Sequence, residues 1–278
     1  MNNGCAVHAA GRALGRVICM TSSSGKPRRL TWTPQLVSQF WDGVAQSPLE
    51  RLSFSRLAGS SLTLAVSHHL RPDATCLDFG AGSGDLIAPL LAAGCRVAAL
   101  EQAPERVAKL EARFRDQPRF SGVVHPDSDR TFDVVFAAEV MEHVLDEQLE
   151  PTLQLIGRLL KPGGLLVVTT PNNEDLDLGM CYSPETNTLF HRWQHVRSFT
   201  AETLSALWAA HGVDALAVHR LEFNPQLLAP LADRPVERLP DYLRDLRRDR
   251  SMRMGSETSI LFLGRRRAGQ RTQEPRIG

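Results

Sequence analysis

Two groups of residues in this chain have types and spacings that can do chemistry. The first is Glu139-Val-Met-Glu142-His143. Two carboxylates and an imidazole at i, i+3 and i+4 share one face of a helical turn. Such a face can hold a divalent cation. Without a metal, the imidazole can take a proton from a hydroxyl near neutral pH; a purely structural role is the third reading. His191 and His195 follow in Phe190-His-Arg-Trp-Gln-His-Val-Arg-Ser-Phe-Thr200 and are candidates for a further ligand or base. The second group is Asp78-Phe-Gly80-Ala81-Gly82-Ser-Gly84. Glycines there let the backbone approach a ligand closely, and a helix opening after them offers free N–H groups.

The run Thr75-Cys-Leu-Asp-Phe79 before the glycines reads as a buried strand, and the next one, Arg96-Val-Ala-Ala-Leu100, ends in Glu101. In a doubly wound sheet an acid at that point accepts hydrogen bonds from both ribose hydroxyls of an adenosine. A dinucleotide site is marked by G-x-G-x-x-G. Here the glycines alternate and Asp78 precedes them. Its carboxylate would repel a pyrophosphate and attract the cationic amino-acid end of S-adenosylmethionine.

Two downstream segments agree. Thr131-Phe-Asp-Val-Val-Phe-Ala-Ala138 is a buried strand leading into the acid–histidine turn, and Leu159-Leu-Lys-Pro-Gly-Gly-Leu-Leu-Val-Val-Thr-Thr-Pro-Asn172 reads as a helix end, a turn and another strand. With these ordered segments the chain resembles the class I S-adenosylmethionine-dependent methyltransferases over residues 50–221. The resemblance implies that Asp78, Gly80, Ala81, Gly82 and Gly84 line the methionine end of the cofactor, that Glu101 holds the ribose and that Gln102 lies along the adenine. The adenine amine would meet His125 or Asp127, in a segment shorter than the family norm, and Glu139 would lend mostly backbone to the same pocket.

Two groups within that class are similar at the acid–histidine turn. Small-RNA 3′-terminal 2′-O-methyltransferases bind a metal through acid-x-x-acid-His and a downstream His, matched here by His195. Ubiquinone-pathway O-methyltransferases use a divalent ion at a catechol-type hydroxyl. By that resemblance Glu139, Glu142, His143 and His195 are the candidate metal ligands, and His143 and His195 the candidate catalytic residues. Many small-molecule members of the class carry the same turn with no metal.

The elements that must position these residues follow from periodicity. Strands are expected near 75–79, 96–101, 120–124, 132–137, 165–170, 213–219 and 258–264, and helices near 85–93, 104–115, 147–160 and 200–211. Alternation of this kind gives an α/β fold: a doubly wound, mostly parallel seven-stranded sheet with helices on both faces. By the resemblance, the last strand runs reversed. Thr33-Pro34 marks a helix start, with Leu36, Val37, Phe40, Trp41 and Val44 as its apolar stripe, and a second helix is expected over 52–70. Core packing is expected of Phe40 and Trp41. The expected organisation is a flexible segment over 1–30, a catalytic domain over 31–264 and a disordered basic tail over 265–278. Within the domain, 31–70 forms a helical cap, and 171–199 and 222–257 are substrate-side insertions. The arginines from Arg244 to Arg253 are expected to form a solvated face paired with Asp241, Asp245 and Asp249.

The 278 residues carry a formal net charge of +1, which gives no general footprint for nucleic acid or a membrane surface. No apolar run is long enough to span a membrane. Five scattered cysteines without C-x-x-C suit reduced thiols in the cytoplasm. Arg12 and Arg16 interrupt any signal-peptide core. The expected activity is methyl transfer to a small-molecule acceptor at oxygen. RNA 2′-O-methylation, a non-catalytic cofactor-binding subunit and a nicotinamide-dependent oxidoreductase are the alternatives. The acceptor and the oligomeric state are left open.

Overall fold

A computed structural model describes residues 25–223 and 258–269. Its centre is a seven-stranded sheet of β2 (Thr75–Phe79), β3 (Arg96–Leu100), β4 (Phe120–Val123), β5 (Phe132–Ala138), β6 (Leu160–Pro171), β9 (Val213–Leu221) and β10 (Ser259–Arg266). The spatial order is β4-β3-β2-β5-β6-β10-β9. Every pairing is parallel except those of β10, which is antiparallel to both β6 and β9. The doubly wound architecture and the reversed strand are therefore as expected.

Alternation along the strands splits the core in two. Leu77, Ala98, Val135, Leu166 and Phe262 point to the face covered by α5 (Asp146–Leu159) and α6 (Ala201–Ala210), which contribute Leu153, Ile156 and Trp208. Cys76, Ala99, Val134, Phe136 and Leu261 point to the opposite face. There they meet α2 (Phe54–Ala65), α3 (Ile87–Ala92) and α4 (Pro104–Phe114) through Leu62, Leu90 and Leu110. The chain winds outward from β2 to β4 and returns to β5 beside β2. That reversal opens a crevice at the carboxyl ends of β2 and β5, the place where such sheets bind ligands.

Helix α1 (Pro34–Ala45) starts where expected, with Thr33 Oγ1 accepting from Leu36 N at 3.3 Å. The second helix is shorter than expected: a 3-10 turn over Pro48–Leu52 precedes it, Ser53 separates the two, and another turn over Ser67–His69 follows. Lys161–Gly164 forms a wide bulge, because β5 pairs Phe132 with Leu160 and then Val134 with Leu165. Two boundaries need correction. Arg28–Arg29 is a strand, β1, not part of a flexible segment; it pairs with β8 (Thr188–His191), which pairs with β7 (Met180–Ser183). The insertion after β6 is thus a small sheet of its own. The last strand continues past 264, where Arg265 and Arg266 pair with Leu165 and Val213, and Arg267 binds the Asp214 carboxylate. The Arg244–Arg253 run, most of insertion 222–257 and the tail from 270 lie outside the described residues.

Candidate active site

The glycine loop is held by its own backbone. Gly80, Gly82 and Gly84 have φ of +78°, +53° and +77°, a region costly for any residue with a Cβ. Each meets something different. A Cβ on Gly84 would lie 2.6 Å from Leu110 and 2.7 Å from Phe114, so this glycine lets α4 close on the loop. A Cβ on Gly82 would meet nothing within 4 Å, leaving its backbone open to a ligand. One on Gly80 would lie 3.0 Å from Val140 Cγ2, which brings the acid–histidine turn against the loop.

Asp78 is buried and its Oδ2 has no hydrogen-bond partner. Burial, with help from the charges of Glu101 and Asp85, pushes its carboxyl up to about 7. A buried acid without a partner fits the ammonium of an amino-acid end. Glu101 Oε1 accepts from the backbone N–H of Gln102 at 2.9 Å and Ala103 at 3.0 Å, and Oε2 accepts from Gly82 at 3.1 Å. Arg106 lies 3.8 Å from the same carboxylate and donates to the Trp41 carbonyl, which ties α1 to the acid at the end of β3. Ala81 is buried in the loop and Gln102 is exposed beside Glu101. His125 and Asp127 sit past β4 with side chains 78% and 90% exposed, paired with each other at 3.3 Å and joined to none of these residues.

The acid–histidine turn differs from the expected helix face. Glu139 has φ +51° and only Met141–His143 forms a 3-10 turn, so the three side chains do not line one helical face. Glu139 N donates to the Thr169 carbonyl at 3.0 Å, and its Oε1 is buried without a partner. Glu142 is fully buried; its Oε2 accepts from Thr170 at 3.0 Å and its Oε1 has no partner. Burial pushes both carboxyls up, and the Glu139 charge raises Glu142 further. Burial, then the neighbouring His195, depresses His143 to about 3, so its ring is neutral, with Nδ1 buried and unpartnered.

The loop after β8 folds onto this turn. Donor atoms of Glu142, His143 and His195 lie within 4.8 Å of one another, and so do those of Glu174, His191 and His195. Glu139, an expected metal ligand, belongs to neither group, although its carboxyl lies beside that of Glu142. Glu174 and His191 take part instead. Glu174 carries no sequence signal of its own: it is one of three acids in Glu174-Asp-Leu-Asp177, and only the turn of the chain brings it to His195. Gln194 (φ +62°) is buried, accepts from Trp41 Nε1 at 3.0 Å and donates to the His143 carbonyl at 3.0 Å. Trp41 stands edge-on to His143 at 4.9 Å, so it faces the site rather than the core. It stands edge-on to Phe40, which stands edge-on to Trp32.

A methyltransferase-domain family model matches residues 50–218. The chain belongs to this methyltransferase family. It is 30% identical to the mitochondrial ubiquinone biosynthesis O-methyltransferase of Homo sapiens over 165 residues, 54% of this chain and 44% of the relative. It is 34% identical to the ubiquinone biosynthesis O-methyltransferase of Xanthomonas oryzae pv. oryzae strain PXO99A over 147 residues, 49% of this chain and 58% of the relative. The chain spans about half the length of the curated relatives it matches. The fold is shared with a Burkholderia thailandensis 1,6-didemethyltoxoflavin-N1-methyltransferase solved with S-adenosylhomocysteine, at TM-score 0.58 and 18% identity over 87% of this chain and 94% of that one. It is shared equally with the [4+2]-cyclase SpnF, at TM-score 0.55 and 18% identity over 88% of this chain and 100% of that one. At such identities the fold alone is shared, and the reaction must be argued from the site.

Proposed function

We propose that this methyltransferase moves a methyl group from S-adenosylmethionine to a hydroxyl oxygen of a small molecule. The observation that carries the reading is the juxtaposition across the sheet's reversal point. A buried Asp78 carboxylate, its Oδ2 without a partner, immediately precedes the glycine loop, and the acid–histidine turn packs beside that loop through Val140. When bound, S-adenosylmethionine supplies a methyl on a positively charged sulfur, which needs only in-line approach of a nucleophile. Asp78 would receive the ammonium, and Glu101 would receive the ribose hydroxyls. His195 takes the acceptor proton. The O-methyltransferase names of the relatives support oxygen as the acceptor atom. The net charge of +1 supports a small molecule over RNA. Among the described residues no helix is long and apolar enough to cross a membrane. Calorimetry with S-adenosylhomocysteine and NAD tests the cofactor: micromolar binding of the first and none of the second is expected, and the reverse would replace the reading with an oxidoreductase.

A second reading adds a divalent ion on Glu142, His143 and His195. Two buried donors without partners, Glu142 Oε1 and His143 Nδ1, favour it. Such an ion would supply charge to stabilise an alkoxide. Metal titration of wild type and His143→Ala decides between the two: saturable uptake lost in the variant supports the ion, and no uptake removes it.

A further inference from the structure

His191 and Glu174 together frame His195. His191 Nδ1 accepts the backbone N–H of Trp193 at 3.3 Å and of His195 at 3.1 Å. A nitrogen that accepts two hydrogen bonds carries no proton, so the neutral ring keeps its proton on Nε2. That Nε2 lies 3.3 Å from Glu174 Oε1. The other oxygen, Glu174 Oε2, lies 2.5 Å from His195 Nδ1. A carboxylate accepts only, so His195 holds its proton on Nδ1 and its lone pair on Nε2. The rings of His191 and His195 stack at 4.4 Å, and both side chains are nearly shut off from solvent, at 0% and 8% exposure. The seat is built for the His191 ring: a Cβ on Gly179 would lie 1.8 Å from its Nε2.

We propose that Glu174 is the positioning residue of the methyl transfer, holding His195 in the one tautomer that turns the Nε2 lone pair toward an acceptor hydroxyl. This rests on the hydroxyl-acceptor reading above. The oxygen–methyl bond forms as the sulfur–methyl bond breaks, with its electron pair left on sulfur. The hydroxyl proton passes to His195 Nε2, and the resulting imidazolium charge faces the Glu174 carboxylate. The proton then leaves to water. The same tautomer argument removes His191 as a ligand of any ion, since its Nε2 is protonated.

The first test needs no acceptor. Nitrogen-15 NMR of histidine-labelled wild-type protein should show His195 as the Nδ1–H form and His191 as the Nε2–H form. In Glu174→Ala the His195 assignment should be lost, while a thermal melt reports whether the variant folds. The second test is turnover with S-adenosylmethionine and catechol as the probe acceptor. Glu174→Gln should lower kcat about 10- to 100-fold, with the KM for S-adenosylmethionine unchanged and part of kcat restored in Glu174→Asp. An Nε2–H form of His195 in wild type, an unchanged kcat in Glu174→Gln, or zinc bound through His191 would each overturn the proposal. A wild type with the expected tautomers and no turnover on any hydroxyl probe would uphold the positioning and overturn the acceptor reading alone.

Discussion

The two halves of the site are built by opposite means. The proposed cofactor half, from β2 to β3, is mostly backbone: three left-handed glycines, a loop hydrogen-bonded to a strand end, and two acids at consecutive strand ends. The proposed acceptor half, from β5 to the loop after β8, is side chains: two glutamates and a histidine beyond β5, two histidines and a glutamate from the insertion, and a glutamine bridging to α1. A backbone site demands residues that tolerate its dihedrals, so its sequence is constrained locally. A side-chain site demands that distant segments arrive together, and its specificity can change without disturbing the loop beside it.

The sharpest test of that division is to cut each half separately. Asp78→Asn should weaken S-adenosylhomocysteine binding about 100-fold by leaving a buried cation unpaired, read by calorimetry. His195→Gln should lower kcat on the order of 100-fold and leave that binding constant within about twofold of wild type. If either variant moves the other's readout, the halves are not independent.

Gly84→Ala tests the claim that the loop is set by backbone. A left-handed φ and a Cβ 2.6 Å from Leu110 should cost about 2–4 kcal/mol of stability. Chemical denaturation reads the loss, and an unchanged midpoint would refute it.

Protons separate the halves as well. The folded Asp78 carboxyl lies at about 7, above its ordinary value of 3.8, chiefly through burial. Its destabilising contribution to the ligand-free protein is absent below 3.8 and grows as pH rises toward 7. Folded His143 lies at about 3, below its ordinary 6.5, again chiefly through burial. Its contribution is absent above 6.5 and grows as pH falls toward 3. Asp78→Asn should remove the loss of stability as pH rises from 3.8 to about 7, and His143→Asn the loss as pH falls from 6.5 to about 3. Cofactor binding should also release a proton near pH 7, seen as a buffer-dependent calorimetric enthalpy that Asp78→Asn abolishes. The smallest effect is expected from Trp41→Phe, which removes the bond to Gln194 and should cost about 1 kcal/mol.

Much of the fold was legible because its signals are local. Apolar runs ending in Asp78 and Glu101, the glycines between them and Thr33-Pro34 each state their own conformation. Ser47-Pro48, the same cap-and-proline pattern, marks the turn that precedes the second helix. The acceptor half was legible as a composition of acids and histidines but not as a geometry. Spacing suggested that Glu139 shares a face with Glu142 and His143, yet a left-handed φ in a non-glycine residue breaks that face. Glu174, Gly179 and Gln194 act only through partners far away in the chain, and β1, two residues long, has no period to read.

The place of β10 bears on how the chain is made. It fills the slot between β6 and β9, pairing along Ser259–Arg265 with one and along Ser259–Arg266 with the other. During synthesis the inner edges of both strands, including Val167 and Val168, wait unpaired until residues beyond 260 emerge from the ribosome. Pairings of this range are slow to form, and an open apolar edge invites other chains. The sheet closes last one strand in from its β9 edge, and a chain cut short before β10 would leave two sticky edges where the fold has a core.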